Sequence, residues 1–372
     1  MSLPMSPNSG RRSTPAPQRN GEVAALIQQL LEQAGGSPHA VFLQEMMETV
    51  LRLAEDQADR GDVKILNAAL RELTYAFRLF APYRGIRKVT IFGSARIGEE
   101  AAEYGQALAF AHRISQQGWM VITGAGDGIM KAGQGGAGRE RSFGVNIRLP
   151  FEQRANEFIQ RDAKLVTFRY FFTRKLIFMK ETDGIALFPG GFGTMDEAFE
   201  ILTLVQTGKN VLLPIVCLDR PGGDYWSQWD AYIRKVLLAR GLIAPHDVAL
   251  YRVTDSVQAG LDEILGFYRN YHSSRYVGEQ LVLRLQHAPT EEELATLNRD
   301  FQDILNEGVI SGSAALPEEG TENGLSHLPR LRLSFNRRDI GRLRQLLDAL
   351  NRLPSLPSAE RPGSVQPVIA GS

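Results

Sequence analysis

Between residues 87 and 270 the chain alternates short, almost unbroken apolar runs with helix-length amphipathic stretches. Residues 88–92, 120–123, 142–147, 164–168, 184–188, 211–218 and 248–253 read as strands, and 99–117, 170–182, 194–208, 225–240 and 257–269 as helices. A strand that is apolar on both faces must be covered on both, and strands separated by helices join as parallel crossovers. The pattern predicts an α/β fold, a doubly wound parallel Rossmann-like sheet, over residues 85–272. In open sheets of this kind ligands sit outside the carboxyl ends of the strands.

The flanks read differently. Residues 1–20 and 353–372 are rich in Pro, Ser and Gly and are expected to be disordered tails. From 21 to 84 apolar residues recur at helical spacing, as in Val23, Leu26, Ile27 and Leu30, then Phe42, Met46 and Val50, then Ile65, Ala69, Leu73, Ala76 and Phe80. They predict a helical N-terminal extension of three helices. Past 278, strands at 280–285, 309–315 and 328–335 with helices at 290–305 and 338–350 suggest a small α+β module over 278–352. Its β-α-β-β-α order is ACT- or ferredoxin-like, which makes it a candidate site for a small-molecule effector.

Composition removes several function classes. Lys+Arg and Asp+Glu are both 42 in 372 residues, so no global basic field recruits nucleic acid. The single cysteine, Cys217, excludes a disulfide framework and a cysteine-based metal cluster, and its apolar surroundings mark a buried structural thiol. The six histidines fall in different elements without metal-ligand spacing, so no metal is expected. No apolar run approaches the roughly 20 residues that span a bilayer, and residues 1–20 hold no signal-peptide core. A cytoplasmic protein without a membrane partner is expected.

Three strand ends are glycine-rich: Gly93-Ser94-Ala95-Arg96, Gly124-Ala125-Gly126-Asp127-Gly128, and Pro189-Gly190-Gly191-Phe192-Gly193-Thr194 running into Asp196 and Glu197. Strand, glycine turn and helix together aim bare backbone N–H groups and a positive helix end at an anion. A phosphate cradle beside carboxylates suggests an enzyme acting on a phosphorylated substrate. None of the loops reads as a dinucleotide fingerprint or a P-loop, so neither a dinucleotide cofactor nor NTP hydrolysis is favoured, and no cofactor is expected. Glu197 has two readings. Thr194-x-x-Glu197 is a capping box, and the same carboxylate could serve chemistry. The helix around Arg174 and Lys175 is apolar almost all round and is expected to be buried, so Arg174 needs an anion. Either Glu181 or Asp183 supplies it as a salt bridge, or a substrate phosphate or ribose does.

Taken together, these motifs resemble the LOG family, the cytokinin riboside 5′-monophosphate phosphoribohydrolases, also labelled lysine decarboxylase-like. The family pattern P-G-G-x-G-T-x-x-E matches at Pro189, Gly190, Gly191, Gly193, Thr194 and Glu197. The family's Arg-Lys pair matches Arg174 and Lys175, and its Gly-Ser segment Gly93 and Ser94. Many members carry three glycines where this chain has Gly124-Ala125-Gly126. The resemblance spans about 85–270, and the flanking regions suggest a long bacterial form. It implies hydrolysis of the N-glycosidic bond of a nucleoside monophosphate to free purine or cytokinin base and ribose 5-phosphate. Arg174 and Glu197 would be catalytic; Gly93, Ser94, Gly124, Gly126, Lys175, Gly190, Gly191, Gly193 and Thr194 would bind substrate. It also implies a homo-oligomer, a dimer or larger. The alternative is a non-catalytic carrier of a nucleotide or of molybdenum cofactor on the same fold. The decarboxylase label would require a pyridoxal phosphate lysine, for which Lys175 is a poor candidate.

Overall fold

A computed structural model describes residues 17–150, 154–319 and 324–357. Most of the two expected tails, 1–16 and 358–372, lies outside the described residues. The chain divides into two compact units, one up to Arg71 and one from Glu72 onward.

The first unit holds α1 (Pro17–Gln33), α2 (Ala40–Glu55) and the start of α3 (Arg60–Phe80), the three helices expected. Within it only Ile27 and Ala69 are buried among the described residues, and α2 buries none.

The second unit is built on seven parallel strands: β1 (Lys88–Phe92), β2 (Met120–Thr123), β3 (Ser142–Ile147), β4 (Leu165–Phe168), β5 (Gly184–Leu187), β6 (Ile215–Leu218) and β7 (Arg252–Thr254). Their order is β4-β3-β2-β1-β5-β6-β7, so the sheet grows outward from β1 in one direction and then, from β5, in the other. The central strands form because nearly every residue is buried on both faces. One face packs Ile122, Val145, Ile185, Leu187 and Cys217 under α6 (Phe171–Glu181), α7 (Phe192–Gln206) and α8 (Tyr225–Tyr232), with Ala76 and Phe80 of α3. The other packs Val89, Ile91, Val121, Ala186 and Val216 under α4 (Ala102–Gln116), α5 (Ile129–Ala137) and α9 (Val257–Phe267). Two strands of this sheet start well after the expected residue. β6 begins only after Pro214, which has no N–H for the ladder. The expected 248–253 strand starts late because Asp247–Leu250 forms a 3-10 turn, its aspartate accepting the Ala244 N–H at 2.8 Å.

The C-terminal sheet is antiparallel: β8 (Tyr271–Val277), β9 (Gln280–Leu285), β10 (Leu305–Ser313) and β11 (Arg330–Phe335) in the order β10-β11-β9-β8, with α10 (Glu291–Asp300) and α11 (Ile340–Leu350). The order is therefore β-β-α-β-β-α rather than β-α-β-β-α. The extra strand, β8, is an edge strand of mostly polar residues with only Tyr271 buried, so it carries no apolar alternation. The chain leaves α10 at Asp300 rather than 305, because it turns through Gln302–Ile304 into β10. Leu353 and Leu356 are buried, so packed chain continues past 352 into the segment expected to be disordered. This second core is continuous with the α/β sheet's helices: Val205 of α7, Leu212, Leu250 and Phe267 share it with Leu283, Leu333 and Leu346. Among the described residues no helix is long and apolar enough to cross a membrane.

A buried charge cluster stiffens this sheet. Glu319 takes Arg284 Nη2 at 2.6 Å and Arg330 Nε at 3.1 Å. Burial works against its charge, but Arg330, the Leu316 N–H and Arg284 outweigh it and pull its pKa down from 4.5 to about 2. A carboxylate depressed in the fold contributes its full stability above about 4.5 and loses it as pH falls toward 2. Glu319→Gln should cost about 3 kcal/mol at neutral pH. In urea unfolding at a series of pH values the gap between variant and parent should shrink below about pH 4.5; a constant gap would show that charge is not its source.

Candidate active site at the β1–β5 reversal

β1 and β5 lie side by side, but the chain leaves them in opposite directions across the sheet. The loops after β1, β2 and β5, the end of β3 and the starts of α6 and α7 line one open cleft of about 770 Å3. Gly93, Ser94, Gly124, Gly126, Arg174, Gly190, Gly191, Gly193, Thr194 and Glu197 all line it. The three glycine loops therefore meet.

Close approach explains two of the glycines. A Cβ on Gly190 would sit 2.1 Å from Thr194 Oγ1, and one on Gly124 would sit 2.5 Å from Arg174 Nη2. The β5 turn is tied down on two sides: the Ser94 N–H donates to Pro189 O at 3.0 Å, and the Tyr225 hydroxyl donates to Gly190 O. Gly191 and Gly193 face open space, which leaves their backbone approachable. Ala125 stands at φ +62°, the left-handed region that a glycine would occupy without strain. Its N–H donates to Thr123 Oγ1 at 3.0 Å and its carbonyl accepts the Asn156 N–H at 2.9 Å, so the loop keeps its turn without the middle glycine.

The capping box at 194–197 does not form. α7 starts at Phe192, with Gly191 as its cap residue and no side-chain cap. Thr194 is thus already the third helical residue and Glu197 the sixth. The turn hands the chain to the helix two residues early, and the first amides of α7 are left open at the cleft. Glu197 is only 7% exposed and faces α6.

Consecutive residues on a helix point about 100° apart, and α6 uses this to divide two cations. Arg174 donates Nε to Val145 O at 2.9 Å, lies 5.0 Å over the Phe178 ring, and lines the cleft. It pairs with neither Glu181 nor Asp183, which are engaged by Lys180 at 2.5 Å and Arg87 at 3.3 Å. Lys175 points at α7, with Nζ 3.0 Å from Asp196 and 3.6 Å from Glu197 and in an ion pair with Glu200. It does not line the cleft.

These contacts set the charges. Burial raises the pKa of Glu197, against the pull of Lys175 and then Arg174. Burial lowers that of Arg174, against the charges of Glu197 and Asp196. For Lys175 burial also opposes charge, but hydrogen bonds to Glu200 and Asp196 prevail and raise its pKa. The helix expected to be buried all round is covered on one side only, by Thr173, Ile177 and Phe178, while Phe171, Phe172 and Leu176 remain about half exposed.

Sequence reasoning passed over Arg96, Asn146, Met130 and Phe171, which also line the cleft. Arg96 could have been found as the cation of the first glycine loop. Asn146 had only its place near a strand's carboxyl end, and Met130 and Phe171 carried no signal apart from core apolarity. As a set, the site offers open helix amides for an anion, a guanidinium beside them, and a shielded carboxylate able to place water or meet developing positive charge.

Residues 125–264 match the family model described as possible lysine decarboxylase, which bears out the resemblance read from the motifs. No curated protein matches the chain. Among solved structures, the molybdenum cofactor carrier protein of Chlamydomonas reinhardtii is 17% identical over 48% of this chain and 98% of its own, with a TM-score of 0.33. The protein TM1055 is 16% identical over 48% and 97%, TM-score 0.34. DNA processing protein A of Helicobacter pylori is 13% identical over 48% and 80%, TM-score 0.33. At these values the likenesses carry nothing about activity.

Lys175→Met removes the strongest charge opposing the rise in Glu197's pKa, so Glu197 should titrate at still higher pH in the variant. Carboxyl 13C shifts followed across pH would read this directly, with Glu197→Gln as the assignment control. An unmoved titration would mean that Lys175 does not hold this carboxylate.

Proposed function

We propose that the protein, whose residues 125–264 match the family model described as possible lysine decarboxylase, is a nucleoside 5′-monophosphate phosphoribohydrolase. Water and the nucleotide give a free purine or cytokinin base and ribose 5-phosphate. The observation that carries the reading is Glu197, a shielded carboxylate in the same cleft as Arg174 and the uncapped start of α7.

The 5′-phosphate would lie against the turn 190–194 and the first amides of α7, where backbone donors and the helix dipole favour an anion. Its binding energy would orient the sugar. Cleavage of the glycosidic bond develops positive charge on the sugar, and an ionised Glu197 would stabilise that charge and position the attacking water. Arg174 would hold substrate oxygens through its planar fork. The decarboxylase description fits these residues poorly. A Schiff-base lysine must be neutral, whereas Lys175 is held charged by three carboxylates. Lys88, whose pKa burial lowers, spends its ammonium on the carbonyls of Tyr83 and Ile86 and begins β1, at the strand end away from the cleft. A carrier of nucleotide or molybdenum cofactor would use the same anion cradle but has no need of the shielded carboxylate.

Purified protein incubated with AMP, GMP, IMP or isopentenyladenosine monophosphate should release free base and ribose 5-phosphate. Binding without release from any of them would support the carrier reading. Glu197→Gln should lower kcat about 1,000-fold with nucleotide binding largely kept. Because the carboxylate works ionised and its pKa is raised, the rate should fall on the acid side at a pH above the usual carboxylate range.

A further inference from the structure

We propose that the exposed apolar face of α1, α2 and α3 is a self-association surface on which a second copy of this chain docks through the same helices. The proposal stands apart from the nucleotidase reading. Twelve large apolar side chains between Leu26 and Leu70 are exposed, among them Leu26 at 60%, Phe42 at 66%, Val50 at 56% and Leu66 at 50%. Ten of them, all but Val41 and Ile65, line a mostly apolar groove of about 1250 Å3 to which all three helices contribute. A dozen such side chains at half exposure amount to roughly 1,000 Å2, beyond the largest patch of an ordinary monomer and enough for one side of a stable interface.

Two further observations identify the occupant. First, the unit has no core of its own: Ile27 and Ala69 are its only buried residues among those described. Most of a helix's stability in a protein comes from packing its apolar face, so the partner must be present whenever the chain is made, in at least equal number. A second copy meets that condition. Two such faces related by a two-fold axis supply each other with the layer each lacks, helix into groove. Second, residues 17–71, the described part of the unit, carry eight acidic and five basic side chains. Helices that lie on membranes carry basic polar faces, and these helices have no such excess of basic residues.

Sedimentation equilibrium of the full chain, with hydrogen exchange of α2 followed over the same dilution series, tests the proposal. The parent should have a mass that is a whole multiple of the chain's, and its α2 amides should lose protection as dilution lowers that mass. Phe42→Glu/Met46→Glu should halve the mass at a given concentration and free the α2 amides, while the α7 amides stay protected. Leu30→Glu, on another helix, should do the same. An unchanged mass in both variants, α2 amides that exchange freely in the parent at every concentration, a mass that is not a multiple of the chain's, or protection gained only on adding anionic vesicles would each overturn it.

Discussion

Everything the cleft can do depends on the reversal at β1. A parallel strand can be followed only by a crossover, and right-handed crossovers place the helix on one face or the other according to the direction the chain then takes. Moving from β1 toward β4 puts α4 and α5 on one face; moving from β5 toward β7 puts α7 and α8 on the other. Between β1 and β5 the connections diverge, and no helix can lie across both strand ends. The gap is filled instead by backbone: Pro189 O receives Ser94 N–H, and Ser94 O receives Ile129 N–H at 3.0 Å each. Three separate loops thereby become one wall.

Into that wall the helices on one face deliver charge. Arg174 and Lys175 are consecutive, and the turn of α6 sends them to different ends. Lys175 is absorbed by Asp196, Glu197 and Glu200, which leaves Arg174 as the cation facing the cleft from that helix. Lys175, and after it Arg174, favours the ionised form of Glu197 against its burial. Without a cation behind it, a carboxylate at that depth would favour its neutral form.

The sheet was legible in the sequence because strands buried on both faces have few alternatives, and the site was legible because its glycines fall at strand ends. What escaped had physical causes. Thr-x-x-Glu occurs at both Thr194 and Thr290; at Thr290 the reciprocal hydrogen bonds form, whereas at Thr194 they do not. The two segments share Thr and Glu, but α7 has already begun at Phe192, from an extended Gly191, before its threonine is reached. The edge strand β8 escaped because its run of His, Ser and Arg residues shows no apolar alternation. The half-exposed side of α6 escaped because apolar residues read as interior until something is known of what covers them.

The helix α7 belongs to two interiors. Ala198 and Ile201 lie in the core beneath the sheet, and four residues on, Val205 lies in the core of the C-terminal strands, where Gln206 also donates to Asp247. The seam between the two parts of this unit therefore runs through the middle of a secondary-structure element and not through a linker. A chain cut after Val277 would leave Val205, Leu212, Leu250 and Phe267 without their cover, and the wound would open at the far end of the helix whose first turn faces the cleft. Moving the C-terminal strands onto or off this sheet would require the helix itself to be resurfaced.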